Sequence, residues 1–405
     1  MNTRPWKLNW TLAVIAATGV ALALGTVWGG QAGGAASPRP SAGHPADHVA
    51  GGTAVTDLKP AAASQGKVRR YYVAAEEVLW DYAPADTNRV TGEPFTDDEN
   101  VFMENGPARI GDTYRKALYR AYTDATFRTR LPADPGLGML GPVIRAEVGD
   151  TIKVVFRNNT SIPTSMHPHG VFYDKSSEGA PYADGTSGSD KADDAVQPGE
   201  AVTYTWEVPE RAGPGPMNGS SVMWMYHSHT DEIADTNAGL VGPMVVTRRG
   251  GAKPDGSPLD VDREVFSYFS VVDENQSQFL EQNLEELAQA PHEVSPEDEE
   301  AFEESNLMHT INGYSYGNGP TVTVHRGERV RWYLFSLGTE VDLHTPHWHG
   351  NTATVTGMRT DMAELLPGSM MAADLRPDDL GEWLFHCHVN DHISAGMITT
   401  YRVVR

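Results

Sequence analysis

The only cysteine of the chain, Cys387, stands between His386 and His388. His392 follows five residues after the cysteine and Met397 ten residues after it. A thiolate, an imidazole and a weak thioether are ligands of a blue-copper electron-transfer site, which one more histidine usually completes. If this segment is a strand, its side chains alternate, so the cysteine faces one way and its two neighbours face the other. The tripeptide therefore predicts two linked metal groups, as in a copper redox enzyme.

Composition narrows the partners and the compartment. The 405 residues carry a formal net charge of −23, which argues against nucleic acid and anionic membrane surfaces as partners and is compatible with cationic substrates such as metal ions. Residues 1–32 combine two basic residues with the uncharged apolar run Thr11–Val27 and predict a secretory signal or an N-terminal anchor. The low-complexity sequence of residues 33–66 predicts a disordered linker. We expect an exported protein, secreted or anchored to the outer face of the membrane, in which Cys387 forms no internal disulfide.

Beyond the linker, short β-branched and aromatic runs alternate with Gly and Pro. Examples are Arg70–Ala74, Thr151–Phe156 and Ala201–Trp206. Such runs predict antiparallel β-sandwiches or barrels. The pattern occurs twice. We therefore predict an all-β chain with one domain at 67–250 and a second at 260–405, each a Greek-key cupredoxin-type sandwich.

Four His-x-His pairs recur at matching places in the two repeats. Neutral imidazole suits copper, and paired ligands from facing strands fix the geometry of a metal site. Eight imidazoles in four strand-spaced pairs can supply three copper ions. One isolated pair is weak evidence, whereas four at repeated positions are strong evidence. The pairs are His167/His169, His227/His229, His347/His349 and His386/His388.

The two repeats differ in what surrounds these pairs. The first repeat has Thr164, Ser228 and Leu240 where the second has metal-binding side chains. Its loop after His229 also contains no histidine. An electron-accepting mononuclear site is therefore predicted in the second repeat alone, with a methionine as its axial ligand. Its ligands are His344, Cys387, His392 and Met397.

These motifs resemble those of the multicopper oxidases, and nearly all of residues 70–405 resembles the ceruloplasmin-like members. One pair of domains is present where ceruloplasmin has three. The resemblance implies an oxidase that couples one-electron oxidation of a substrate to four-electron reduction of O2 to water. The segments that carry it, besides the copper motifs, are Tyr71–Glu77, Trp80–Pro84, Tyr119–Asp124 and Ser270–Asn275.

The resemblance also implies the cofactors. His167 and His347 match ligands of the type 2 copper, and Cys387 holds the type 1 copper and passes electrons on through its neighbouring histidines. In two-domain members the cluster lies between subunits, which implies a homotrimer with clusters at its interfaces and four copper ions per subunit. The matches to ligands of the type 3 pair are His169, His227, His229, His349, His386 and His388.

The expected reducing substrate is Fe(II). In ceruloplasmin, carboxylates and a histidine beside the blue copper hold ferrous iron, and the matching positions are Glu304, His309, Glu340 and Asp391. Hard carboxylate oxygens suit iron. The alternatives are a laccase-like oxidase of phenols or aromatic amines, a cuprous oxidase, and a copper-binding module without turnover.

The resemblance extends to one loop of the first repeat. Lys175, Asp190, Asp193 and Asp194 match positions around the calcium site of ceruloplasmin, the first two through backbone oxygen. Adjacent carboxylates in a loop are compatible with Ca²⁺. The alternative interpretation is an ordinary solvated loop.

Overall fold

The computed structural model describes residues 66–107, 109–289 and 299–405. The predicted N-terminal segment (1–32) and residues 33–65 of the predicted linker lie outside the described residues. Within the described ranges, no helix has both the length and the apolar character that a membrane crossing requires.

The first repeat consists of two four-stranded sheets, in the orders β2-β1-β4-β6 and β3-β8-β7-β5. β1 pairs with β2 in antiparallel and with β4 in parallel orientation. All three runs named from the sequence form strands. The strands are β1 (Val68–Asp81), β2 (Thr113–Ala121), β3 (Ile144–Glu147), β4 (Thr151–Asn159), β5 (His167–Pro168), β6 (Ala201–Glu207), β7 (Ser221–His227) and β8 (Val241–Thr247).

The second repeat has the same topology with one addition. Its sheets run β10-β9-β12-β16-β14-β15 and β11-β18-β17-β13, so only the hairpin β14-β15 lacks a counterpart. The predicted all-β pair of sandwiches is confirmed. The strands are β9 (Arg263–Asp273), β10 (Leu307–Ile311), β11 (Val322–His325), β12 (Val330–Ser336), β13 (Pro346–Trp348), β14 (Ala353–Val355), β15 (Met358–Thr360), β16 (Met370–Leu375), β17 (Gly381–Cys387) and β18 (Ile398–Val404).

Helices are short and lie in the connections. Two of them follow the strands that end within His-x-His pairs: α2 follows β7, and α5 follows β17. The N-terminus of α2 is capped by the Asp231 side chain, which accepts a hydrogen bond from the Ala234 N–H. The helices are α1 (Asn100–Met103), α2 (Glu232–Asn237), α3 (Leu280–Leu287), α4 (Glu299–Ser305) and α5 (Asn390–Ser394).

Each sandwich encloses its own aromatic core. In the first repeat, Tyr204 and Trp206 on β6 are fully buried with their neighbours between the sheets. In the second, the rings of Trp332 and Phe385 lie 4.8 Å apart. Cys387 and Met397 belong to this second core, at the end where β17 leaves the sheet. The mononuclear ligands are thereby anchored in close-packed structure.

The two repeats contact each other through the outer faces of their sheets. Phe266 and Tyr333, whose stacked rings lie 5.0 Å apart, belong to one apolar cluster with Met223 and Met225 of β7. The hydroxyls of Ser221 and Tyr333 hydrogen-bond across the contact at 2.7 Å. This contact leaves the histidine-bearing ends of β7 and β17 outside it.

Candidate metal centres

The end of β17 and the loops around it bring three of the four predicted mononuclear ligands into contact distance. The Cys387 Sγ lies 3.5 Å from the Nδ1 of His392 and 3.9 Å from the Nδ1 of His344. The two imidazole Nδ1 atoms are 3.1 Å apart. All three side chains are buried. Three soft or borderline donors therefore converge on one point.

Backbone hydrogen bonds fix the fourth residue, Met397, relative to this group. The N–H of Cys387 donates to the Met397 carbonyl at 3.1 Å, and the N–H of Met397 donates to the His392 carbonyl at 2.9 Å. The Met397 side chain is fully buried in the same core as the cysteine. We call His344, Cys387, His392 and Met397 the mononuclear set.

The surroundings favour a thiolate. Burial by itself raises the pKa of the Cys387 thiol, but hydrogen bonds from both imidazoles and from backbone N–H groups outweigh it, and the pKa falls to about 6. One of these N–H groups is that of Thr345, 3.4 Å from the sulfur. A thiolate with imidazole neighbours is the form that binds a soft metal.

A residue that the sequence did not single out orients His344. The buried Asp342 carboxylate lies 3.1 Å from the His344 Nε2. A carboxylate accepts hydrogen bonds, so Nε2 carries a proton toward Asp342, and Nδ1, which faces the sulfur, is the nitrogen left for a metal. Burial lowers the pKa of His344, but Asp342 and Cys387 raise it more, and the net shift is upward. Only the spacing Asp-x-His could have drawn attention to this residue.

The pairing of β13 with β17 assembles four histidines of the second repeat. Residues 347 and 386 are direct cross-strand partners. The Nε2 atoms of His349 and His386 lie 3.0 Å apart. The ring of the solvent-exposed His388 is 5.5 Å from that of His347. We call His347, His349, His386 and His388 the C-terminal histidine set.

The pairing of β5 with β7 repeats this arrangement in the first repeat. Residues 167 and 227 are cross-strand partners. The Nε2 atoms of His169 and His227 again lie 3.0 Å apart. The ring of His229 is 5.1 Å from that of His167. We call His167, His169, His227 and His229 the N-terminal histidine set.

Backbone carbonyls determine which ring nitrogen is free. The Nδ1 of His167 lies 2.7 Å from the Glu178 carbonyl, and that of His347 lies 2.9 Å from the Asp361 carbonyl. A carbonyl only accepts, so Nδ1 carries the proton and Nε2 is available to a metal. Burial lowers the pKa of His169 to about 4 and that of His227 to about 3. These imidazoles are neutral at pH 7, as metal binding requires.

Within one chain the two histidine sets stay apart. In the described ranges, every close ring contact between two of these eight histidines joins members of the same set. His347 and His349 line an open cleft of about 430 Å³. Within the described ranges, neither set therefore has the other set of the same chain as its partner.

One predicted iron-site residue packs directly beside the mononuclear set. The His309 ring is buried, 5.4 Å from that of His392, and its Nδ1 lies 3.0 Å from the Leu307 carbonyl. Burial lowers its pKa to about 4. The other three predicted residues are exposed, and within the described ranges their carboxylates form no hydrogen bond or ion pair. They are Glu304 in α4, Glu340 in the loop before His344, and Asp391 in α5.

The predicted calcium loop combines carboxylates with lysines. Asp193 is fully buried; its Oδ2 accepts from the Gly179 N–H at 2.7 Å, while its Oδ1 has no hydrogen-bond partner in the described structure. The Asp194 carboxylate lies 3.0 Å from the Lys191 amine. Asp190 is exposed, and the Lys175 amine lies 3.1 Å from the Asp184 carboxylate.

Comparison with known proteins agrees with this geometry. Residues 137–251 and 289–405 each match a family model described as multicopper oxidase. Two cupredoxin-type sandwiches with a mononuclear set and paired histidine sets define that class, and the chain belongs to the multicopper oxidase family.

Within the family the chain is ceruloplasmin-like. It is 44% identical over 338 residues to "Ferroxidase HEPHL1" of Homo sapiens, covering 83% of this chain and 29% of that protein. It is 41% identical over 346 residues to human ceruloplasmin (83% and 32%) and 41% identical over 344 residues to human hephaestin (84% and 30%). The chain thus spans about a third of the length of these relatives.

Solved structures support the fold. "Multicopper Oxidase mgLAC" superposes with a TM-score of 0.53 at 20% identity, covering 83% of this chain and 86% of that one. A second structure, "Crystal structure of multicopper oxidase", gives a TM-score of 0.52 at 18% identity, covering 83% and 89%.

Proposed function

We propose that this chain is a two-domain multicopper oxidase with cupredoxin domains at 67–250 and 260–405, and that its reducing substrate is Fe(II). The observation that carries the proposal is the tripeptide around Cys387. Its thiolate belongs to the mononuclear set, and the imidazoles of His386 and His388 belong to the C-terminal histidine set. A single peptide linkage on each side of Cys387 thus connects the residue of a one-electron site to residues of a second metal group.

The donor sets fit four copper ions per chain. In the mononuclear set, a thiolate of lowered pKa and two imidazole Nδ1 atoms converge, and Met397 completes the group. The type 2 ion belongs to His167 and His347, and the type 3 pair belongs to the other six histidines of the two sets. Copper bound there supplies one-electron oxidation of substrate and four-electron reduction of O2 to water.

The same sets support assembly into a homotrimer. Each chain presents one N-terminal and one C-terminal histidine set at separate places, and eight imidazoles need one of each. A head-to-tail interface repeated around a threefold axis brings unlike sets together at every interface and closes the ring.

Three features support Fe(II) as the substrate. His309 lies against His392, an imidazole of the mononuclear set, at 5.4 Å between rings. The carboxylates of Glu304, Glu340 and Asp391 are exposed and unpaired in the described structure. The net charge of −23 attracts cations. Hard oxygen donors next to an electron acceptor hold ferrous iron and favour the ferric product.

The test is a steady-state comparison of Fe(II), Cu(I) and a phenol with O2 uptake, on copper-loaded wild type and on Glu304→Ala/Asp391→Ala. We expect a roughly 10–100-fold lower kcat/KM for Fe(II) in the double variant, with blue absorption and phenol turnover unchanged. Glu299→Ala/Glu303→Ala is the matched control, because it removes two carboxylates from the same region and leaves the proposed site intact.

Other outcomes decide between the alternatives. Preferred turnover of phenol, with Fe(II) oxidation equal in wild type and double variant, makes the protein laccase-like. Preferred turnover of Cu(I) makes it a cuprous oxidase, for which the exposed Met358 and Met362 offer thioethers. Copper binding without O2 uptake makes it a binding module.

We also propose a calcium ion in the loop of Lys175, Asp190, Asp193 and Asp194. The unpartnered, fully buried Asp193 Oδ1 supports it, since a buried carboxylate oxygen needs a cation or a donor. Calorimetric titration of the chelator-treated protein with Ca²⁺ tests it, with Asp193→Asn as the variant that loses binding.

A further inference from the structure

The first repeat contains a counterpart of every mononuclear ligand. Asp235-Thr-Asn-Ala-Gly-Leu240 aligns with His392-Ile-Ser-Ala-Gly-Met397, and both segments follow a His-x-His pair. The two segments differ most at their ends, where His392 and Met397 are predicted ligands and Asp235 and Leu240 stand in the first repeat. The first-repeat counterparts of all four ligands are buried. They are Thr164, Ser228, Asp235 and Leu240, in place of His344, Cys387, His392 and Met397 respectively.

The backbone hydrogen bonds around these four residues match those of the mononuclear set. The N–H of Ser228 donates to the Leu240 carbonyl at 3.1 Å, as Cys387 does to Met397 at 3.1 Å. The N–H of Leu240 donates to the Asp235 carbonyl at 3.1 Å, where the equivalent bond in the second repeat measures 2.9 Å. The first repeat therefore has the same backbone arrangement as the mononuclear set, but with different side chains at the ligand positions.

A side-chain hydrogen bond joins the two residues that align with Cys387 and His392 of the other repeat. The Ser228 hydroxyl donates to the Asp235 Oδ2 at 2.6 Å and accepts from the Ser165 N–H at 3.0 Å. The Asp235 Oδ1 accepts from the Gln278 Nε2 at 3.1 Å. The carboxylate is thus held from both sides in a fully buried position.

This network reaches two histidines of the N-terminal set. Ser228 lies between them in the chain, and its carbonyl is 2.9 Å from the Nδ1 of His227. The N–H of His229 donates to the Ser165 hydroxyl at 3.0 Å. Movement of Ser228 or Ser165 therefore changes the position of both imidazoles.

We propose that the first repeat holds a metal-free copy of the mononuclear site, in which the Ser228–Asp235 hydrogen bond replaces the metal–ligand bonds and positions His227 and His229 for the copper cluster. Asp235 is a positioning residue, since it contacts no metal ligand side chain itself. The inference rests on the proposed function, because it assigns these histidines to copper.

The test measures copper at the two kinds of site separately. Wild type, Asp235→Ala, Asp235→Asn and the control Thr236→Ala are loaded with copper and titrated with a chelator. Blue absorption follows the mononuclear set, and total copper with the electron paramagnetic resonance signal of type 2 copper follows the cluster. We expect Asp235→Ala to release cluster copper at about 10-fold lower chelator concentration while its blue absorption titrates as in wild type.

The conservative variants separate positioning from folding. Asp235→Asn keeps an acceptor for the Ser228 hydroxyl, and the Gln278 amide can turn to present its oxygen, so we expect cluster copper close to the wild-type level. Ser228→Ala removes the same hydrogen bond with a smaller volume change, and we expect the same selective loss as in Asp235→Ala.

Two results overturn the inference: cluster copper unchanged in both Asp235→Ala and Ser228→Ala, or cluster and blue copper lost together in both. Failure of the proposed function looks different, because wild type itself then shows no blue absorption and no cluster signal.

Discussion

A buried ion pair joins the two repeats, and its disruption gives the most quantitative prediction. The Lys116 amine on β2 pairs with the Glu274 carboxylate in the connection after β9, and both side chains are fully buried. The same amine donates to the Asn237 carbonyl, and the Tyr82 hydroxyl donates to the Glu274 Oε1 at 2.5 Å. The second carboxylate oxygen, Oε2, has no partner in the described structure.

Lys116→Met removes the positive charge and keeps most of the side-chain volume. The Glu274 carboxylate then retains a single hydrogen-bond donor, Tyr82, in a site without solvent. Leaving one member of a buried pair uncompensated costs about 3–5 kcal/mol of unfolding free energy. Burial already raises the pKa of Glu274, so the variant holds this carboxyl protonated over a wider pH range.

Urea unfolding of the copper-loaded protein, followed by tryptophan fluorescence, measures the cost. We expect Lys116→Met/Glu274→Gln to recover about 2 kcal/mol relative to the single variant, because the amide keeps an acceptor for Tyr82 and carries no charge. The exposed pair Arg402–Glu382 is the control, and Arg402→Met should remain within about 1 kcal/mol of wild type. A single variant that loses less than about 1 kcal/mol, with no recovery in the double variant, refutes the reasoning.

Three further predictions follow from single contacts. Asp342→Asn should lower the copper affinity of the mononuclear set by about 10–100-fold, because the amide orients His344 less strongly than the carboxylate does. Chelator titration followed by blue absorption measures this affinity. Loss of cluster copper in place of blue copper contradicts the prediction. Burial raises the pKa of Asp112 to about 6, so the protonated carboxyl stabilises the fold at low pH and this stabilisation is lost as pH rises through 6. Asp112→Asn should therefore raise the unfolding free energy by about 1 kcal/mol at pH 7 and by less at pH 5. Urea unfolding at the two pH values measures the difference. Gly350→Ala should lower the unfolding free energy by about 3 kcal/mol, because φ is +69° and the new Cβ lies 2.5 Å from the Trp383 ring. Gly368→Ala is the control: its φ is +75° but no atom lies within 4 Å of the new Cβ, so it should lower the unfolding free energy by about 1 kcal/mol.

The strands and the ligand residues were accessible from the sequence because their signals are local. The β-branched and aromatic runs at 151–156 and 201–206 identified β4 and β6 without reference to any distant residue. The four His-x-His pairs recur at matching offsets, so the internal repeat was visible as well. The residues around the ligands were less accessible, because their roles depend on burial. Asp342 is one of many acidic residues in the chain, and only its position against the His344 Nε2 distinguishes it.

Contacts between residues far apart in the sequence could not be predicted. Lys116 and Glu274 are separated by 158 positions, and no periodicity connects them. Asp235 could have been found by aligning the two repeats, but its hydrogen bond to Ser228 required the fold of the β7–α2 connection.

The amino-acid sequence by itself determined which donors this protein offers to metals and on which side of a strand each one stands. Ligand chemistry belongs to the residue type, and the strand period of two assigns Cys387 and its neighbouring histidines to opposite faces. The tertiary structure alone decided which carbonyls set the imidazole tautomers, how far burial shifts each pKa, and that the two histidine sets of one chain lie apart. Those properties arise from packing between distant segments, where solvent is excluded and small changes of position decide which atoms meet.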